Sequence, residues 1–130
     1  MTILVAYVPR PEGQIALDKG LEIAKRRQER LVVVNASPGG SQEDLSKADA
    51  QDVERVEALL ADSGLDAEFK QFVRGKSAVT EIEDMVESLH VSLLIIGLRK
   101  RTAVGKLILG SVAQDLLLSV SCPVLAVKAV

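Results

Sequence analysis

Aromatic side chains are nearly missing from this chain. It has no tryptophan, and Tyr7, Phe69 and Phe72 are the whole aromatic set among 130 residues. Single-stranded nucleic acid is gripped largely by stacking on aromatic platforms, so this composition argues against that function. It also requires the core to be built from Val, Leu, Ile and Ala, as in parallel sheets covered on both faces. Cysteine occurs once, at Cys122, which excludes an intrachain disulfide and a cysteine-cluster metal site. Positive charge is not in excess. The 16 Lys and Arg face 18 Asp and Glu, a net charge of -2, whereas nucleic-acid-binding domains are usually basic. Long apolar runs are absent too. The first, residues 3–8, is far too short to span a membrane and lacks the layout of a signal peptide. The expectation is a cytoplasmic protein without a nucleic-acid or membrane partner.

What remains is aliphatic and regularly punctuated. Apolar residues make up 48% of the chain, enough for a real core in one domain. Residues 3–8 read as a first strand, ended by Pro9 and Pro11. A helix follows with Ala16, Leu17, Gly20, Leu21 and Ala24 on one face, and Lys25, Arg26 and Arg27 at its negative end. Residues 31–34 form a second buried strand. Ser41 and Asp44 look like the capping box of a second helix that runs to about Ser63, with Leu45, Ala48, Val56, Leu59 and Leu60 inward. Residues 66–73 alternate and suit a half-exposed edge strand. Ser77 caps a third helix with Val79, Ile82, Val86 and Leu89 inward. Residues 93–96 make a fourth strand, and residues 124–127 a last one. Strand and helix thus alternate throughout with short connections. The prediction is a single-domain α/β three-layer sandwich with a parallel sheet and right-handed crossovers.

The stretch from residue 92 to 129 carries the functional signal. The fourth strand is expected to stop at Gly97. A basic loop with Arg99, Lys100, Arg101, Gly105 and Lys106 then leads to Gly110 and Ser111. These open a helix with Val112, Ala113, Leu116, Leu117 and Val120 on one stripe, ended by Cys122-Pro123. Two readings stand. The glycines are turn residues beside a solvated basic patch, or the loop is a phosphate cradle. In the second, amides near Gly97 and Gly110, the Ser111 hydroxyl and the helix dipole face one anion. A P-loop is excluded, because it needs four residues between its glycine and Gly-Lys-Ser/Thr. Here seven residues separate Gly97 from Gly105, and Leu107 follows Lys106. No G-x-G-x-x-G follows the first strand, so a dinucleotide fold of that type is not expected either.

Gly97 to Ser111 resembles the nucleotide loop of the universal stress proteins, G-x2-G-x9-G-S/T. Gly97, Gly110 and Ser111 match in type and spacing, and Lys100 stands where a glycine is usual. Ile3-Leu4-Val5-Ala6 resembles the family's first strand, Val73-Arg74-Gly75 its third strand and turn, and Cys122-Pro123-Val124-Leu125 its last strand. The resemblance covers nearly the whole chain. It implies one universal stress protein domain over residues 1–130, with a five-stranded parallel sheet in order 3-2-1-4-5 of the Rossmann-like, adenine nucleotide alpha hydrolase-like kind. It implies a homodimer through the last strand. It further implies ATP or another adenine nucleotide, with Mg2+ alongside, between the ends of strands one and four. The base would lie near Ala6, Tyr7, Val8 and Ala36. Ribose and phosphates would lie near Ile96, Gly97, Arg99, Lys100, Gly110, Ser111, Val112 and Ala113. Three positions depart from the family pattern. Val8 replaces an aspartate, Lys100 a glycine, and Ala113 a frequent Ser or Thr. The alternative reading is therefore a homodimeric interaction module of the same fold that has lost nucleotide binding.

No catalytic residue is assigned, and at most weak ATP hydrolysis is expected. The single histidine, His90, reads as a solvated helix-end residue, since no nucleophile or orienting group stands beside it. Cys122 reads as a small buried hydrophobe. The acids of the second helix alternate with Lys47 and Arg55 as on a solvated face, and no spacing suggests a metal cage.

Overall fold

The β-branched runs pair in parallel, as their double-sided burial requires. A computed structural model of the chain describes residues 1–39, 46–101 and 106–128, with the backbone alone at 100–101 and 106–108. In order the elements are β1 (Thr2–Ala6), α1 (Pro11–Arg27), β2 (Arg30–Ser37), α2 (Ala50–Ala61), β3 (Ala67–Val73), α3 (Ala78–Ser88), β4 (Val91–Arg101), β5 (Lys106–Ile108), α4 (Ser111–Ser119) and β6 (Val124–Lys128). The five parallel strands lie in the order β3-β2-β1-β4-β6, so the expected 3-2-1-4-5 arrangement holds with β6 as its fifth member.

The sheet separates two cores. Side chains alternate across each strand. Ile3, Val5 and Tyr7 of the first strand region join Ala16, Leu17 and Ala24 of α1 and Val56 and Leu60 of α2. Leu4 turns the other way and joins Ile82, Met85 and Val86 of α3 and Leu116 of α4. Phe69 and Phe72, three residues apart on the edge strand β3, pack on opposite cores as the alternation predicts.

Three expectations need correction. Strand four does not stop at Gly97. Gly97 holds a ladder position opposite Val127, and β4 continues to Arg101. Residues 99–101, expected in a loop, pair antiparallel with β5: Arg99 with Ile108, Lys100 with Leu107 and Arg101 with Lys106. Glycine did not break the strand because its backbone groups still had a partner; Gly105 lies outside the described residues. Next, α2 begins at Ala50 and not near Ser41. Asp49 is its cap, with an oxygen accepting from the Asp52 amide at 2.8 Å. Ser41, Asp44 and Leu45 lie outside the described residues. Finally, the apolar stripe of α4 is only partly covered. Leu116 is buried, while Val112 and Leu117 are 43% and 46% exposed. The helix packs against α3 and β4, which leaves part of its stripe exposed.

The connection into α2 is tied to the sheet by one side chain. Asn35, fully buried near the end of β2, donates to the carbonyls of Tyr7 (3.0 Å) and Ser46 (2.7 Å). Its oxygen accepts from the Ala48 amide at 2.9 Å and from Gln71 Nε2 at 3.0 Å. On the opposite face Arg74 makes two 2.7 Å bonds to the buried Glu81 and stacks 4.5 Å above the Phe72 ring. The guanidinium holds the Glu81 carboxyl below its ordinary range.

Candidate functional site

The order of the sheet dictates where a crevice forms. From β1 the chain winds outward to β2 and β3, then crosses to β4 on the other side of β1. The connections leaving β1 and β4 therefore part from each other at their carboxyl ends. In open α/β sheets ligands bind at such a switch point. A cavity of about 240 Å³ lies there. It is lined by Ala6, Val8, Arg10, Glu12 and Gly13 after β1, by Ser46, by Ile96, Gly97 and Arg99 of β4, and by Gly110, Ser111, Val112, Ala113 and Leu116 of α4.

Two helix amino termini border it. Gly110 caps α4 and Arg10 caps α1, both in extended conformation and neither with a side-chain cap bond. The first amides of a helix have no intrahelical acceptor, and the dipole places roughly half a positive charge at that end. Arg99 adds a full charge. One of its guanidinium nitrogens lies 3.5 Å from where a Cβ on Gly110 would stand. Among the described residues the side chains of Arg10 and Arg99 have no hydrogen-bond or ion-pair partner.

Gly97, within β4, and Gly110, at the start of α4, are glycine for different physical reasons. A Cβ on Gly97 would stand 2.0 Å from the Glu12 carbonyl oxygen, so the residue must lack a side chain for α1 to approach β4. A Cβ on Gly13 would likewise stand 1.8 Å from the carbonyl oxygen of Val8. The first turn of α1 is thus wedged between the end of β1 and the middle of β4. That contact places the Glu12 side chain at the cavity. Gly110 is different, since a Cβ there would meet only the movable end of Arg99.

Of the residues predicted for the site, Ala6, Val8, Ile96, Gly97, Arg99, Gly110, Ser111, Val112 and Ala113 line this cavity together. Tyr7 and Ala36 do not. Tyr7 belongs to the core under α1 and α2, because neighbouring strand residues face opposite sides. Its hydroxyl donates to Asp52 Oδ2 at 2.7 Å and accepts from Arg55 at 2.9 Å. Burial, with the Asp52 carboxylate, pushes its phenol up to about 12. Ala36 is buried in the core under α3 and α4. Lys100 holds a ladder position on β4, and its side chain lies outside the described set. Arg10, Glu12, Gly13, Ser46 and Leu116 were missed. An acid in a helix's first turn ordinarily signals only a favourable dipole contact, so Glu12 carried no sequence signal for a cavity.

His90 and Cys122 lie away from this crevice. His90 is exposed and follows the end of α3 with φ 51°, a left-handed position past the helix end. Cys122 packs on the second core, and burial pushes its thiol up, which suits an unreactive side chain. Among the described residues no group of three or more His, Cys, Asp or Glu is placed to hold a metal ion, and no helix is long and apolar enough to cross a membrane.

Fold and crevice together define a doubly wound α/β protein with an electropositive cleft at its switch point. The family model described as "Universal stress protein family" matches residues 1–128. A curated universal stress protein from Mycolicibacterium smegmatis is 47% identical over 126 residues, covering 97% of this chain and 96% of that protein. A solved universal stress protein from Archaeoglobus fulgidus superposes with a TM-score of 0.77 at 29% identity, covering 98% of this chain and 97% of the other. A second structure from that organism, a complex with dAMP, gives a TM-score of 0.74 at 25% identity over 98% and 96% of the two chains. The chain belongs to the universal stress protein family.

Proposed function

We propose that this protein binds an adenine nucleotide, ATP or AMP, at the carboxyl ends of β1 and β4, as a single stress-protein domain with little or no catalysis. The observation that carries this reading is the cavity edge at Gly110 and Ser111. There the uncapped amino terminus of α4 meets Arg99, whose side chain has no partner among the described residues. Free amides, a hydroxyl and a guanidinium are the donors a phosphate needs. The 25% identical relative in complex with dAMP supports the base and sugar part of the reading. Ala6, Val8 and Ile96 would face the nucleoside. Gly97, Arg99, Lys100, Gly110, Ser111, Val112 and Ala113 would follow ribose and phosphates. Mg2+ would ride on the phosphates and not on a protein cage, and the cytoplasm would supply the ligand.

Calorimetric titration of stripped protein with ATP, ADP, AMP and cyclic AMP tests this. Heat is expected for at least one of them. Gly110→Val is expected to weaken that ligand about tenfold or more, roughly 1.4 kcal/mol, because its branches would occupy the anion's place. Silence of every nucleotide at millimolar concentration would remove the reading.

A second reading concerns assembly. Leu118 is 77% exposed on α4, beside Leu117 at 46%, and among the described residues β6 pairs only with β4. An unpaired edge strand beside exposed apolar residues suits pairing with a second copy. We propose a homodimer through β6. It would persist in a form of this protein whose cavity has lost its nucleotide. Light scattering at micromolar concentration is expected to give the dimer mass, and Leu118→Lys to shift it toward the monomer. A monomeric wild type contradicts this.

A further inference from the structure

Glu12 is the one ionisable group at the cavity whose position opposes its surroundings. It is 9% exposed, lines the cavity, and its Oε1 is buried without a hydrogen-bond partner among the described residues. A buried carboxylate oxygen without a partner is costly, and a protein keeps one where something else supplies the donor. Two guanidiniums border the same cavity, yet neither binds it. Nor is Glu12 free to move off. Its backbone is clamped between Gly97 and the Val8 turn, where Cβ atoms on Gly97 and Gly13 would stand 2.0 Å and 1.8 Å from backbone oxygens.

The donor that Glu12 awaits follows from its place. The cationic end of the cavity is at Arg99, Gly110 and Ser111. Gly97, against which Glu12 is wedged, lies two residues earlier on β4, about 6.6 Å along the strand. A ligand with its anion at Arg99 would bring to Glu12 the part next to its phosphates. In a ribonucleotide such as ATP or AMP that part is a sugar bearing two neighbouring hydroxyls. A vicinal diol offers two parallel O–H donors to the two oxygens of one carboxylate. The side chain of Val8, on the same wall, is apolar and can accept nothing.

We infer that Glu12 is a specificity-determining residue of this cavity, accepting hydrogen bonds from the sugar hydroxyls of the bound nucleotide and so selecting ligands that carry them. This rests on the nucleotide reading given above. Sites built around a substrate hydroxyl reject analogues lacking it much more strongly than apolar pockets do.

The test compares ATP, 2′,3′-dideoxy-ATP and inorganic tripolyphosphate by calorimetry. Wild type, Glu12→Gln and Glu12→Leu are each titrated, with EDTA and again with Mg2+. Wild type is expected to prefer ATP over the dideoxy analogue by about tenfold or more in both conditions. In Glu12→Leu that ratio should fall to within about twofold, with Glu12→Gln between, while tripolyphosphate binds at least as tightly as before. Without ligand Glu12→Leu should melt a few degrees higher than wild type, since it removes a buried polar oxygen that has no partner among the described residues. Equal affinity of wild type for ATP and the dideoxy analogue overturns the inference and leaves the nucleotide reading intact. A preference that exists only with Mg2+ overturns it too, as the carboxylate would then be serving a cation. If neither ATP nor tripolyphosphate binds, the nucleotide reading fails and this inference with it. Should the variants not fold, the wild-type ratio in EDTA decides alone.

Discussion

Replacing Gly97 by alanine is expected to destabilise the protein by about 3 kcal/mol, at the upper end of what overpacking a rigid contact costs. The same change at Gly110 is expected to cost less than about 1 kcal/mol. The new methyl at position 97 would meet backbone atoms of Glu12, with the carbonyl oxygen 2.0 Å and its carbon 2.6 Å away. Backbone in the first turn of a 17-residue helix cannot step aside alone. Either α1 moves off β4 or the strand bends, and each opens the core beneath Ala16 and Leu17. At position 110 the methyl would touch only the tip of the exposed Arg99, at 3.5 Å. Urea unfolding of both variants measures the difference. Equal losses would show that the two glycines serve one purpose, and would remove the packing account of Gly97.

The second large effect concerns the buried amide of Asn35. Asn35→Asp is expected to lose about 3 kcal/mol at neutral pH and to recover part of it in acid. The amide donates to two carbonyls, Tyr7 O and Ser46 O, and a carboxylate has no proton to offer either. Two carbonyl dipoles and full burial would favour the protonated form, so the folded-state pKa of this aspartate would lie above its unfolded value near 3.9. The folded state then binds more protons than the unfolded one over the interval between the two values. Stability must fall as pH rises through that interval, then level off. Asn35→Ala should lose stability as well, without that slope. Denaturant midpoints of the two variants between pH 4 and 8 would test the sign. Parallel curves would mean that the Asp side chain had escaped to solvent. Because Asn35 also anchors the Ala48 amide at 2.9 Å, both variants should loosen the chain leading into α2.

Much of this fold was legible in the residues. Runs such as Leu31 to Val34 are continuous and β-branched, which only a strand covered on both faces explains, and they are fully buried. Ser77 was readable as a cap, and its hydroxyl does accept from the Thr80 amide at 3.2 Å. Other local signals misled. Gly97 was read as a strand end, since glycine often is one, but β6 and β5 extend the ladder on past it. Val112 and Leu117 had helical spacing, but an amphipathic stripe says nothing of whether a partner surface lies against all of it.

The site divides along the same line. Gly97, Gly110 and Ser111 were found by their spacing along one continuous segment, because residues close in the chain are local objects. The chain's own order of residues likewise determined the alternation of strands and helices, since each depends on a short-range period of apolar positions. Only the tertiary structure decided that Arg10 and Glu12 border the same cavity as Arg99, and that Tyr7 and Ala36 do not. That outcome depends on α1 docking across β4, a contact between residues more than eighty positions apart. Its geometry is set by the closeness of two backbones, and no periodicity in a sequence records such a distance.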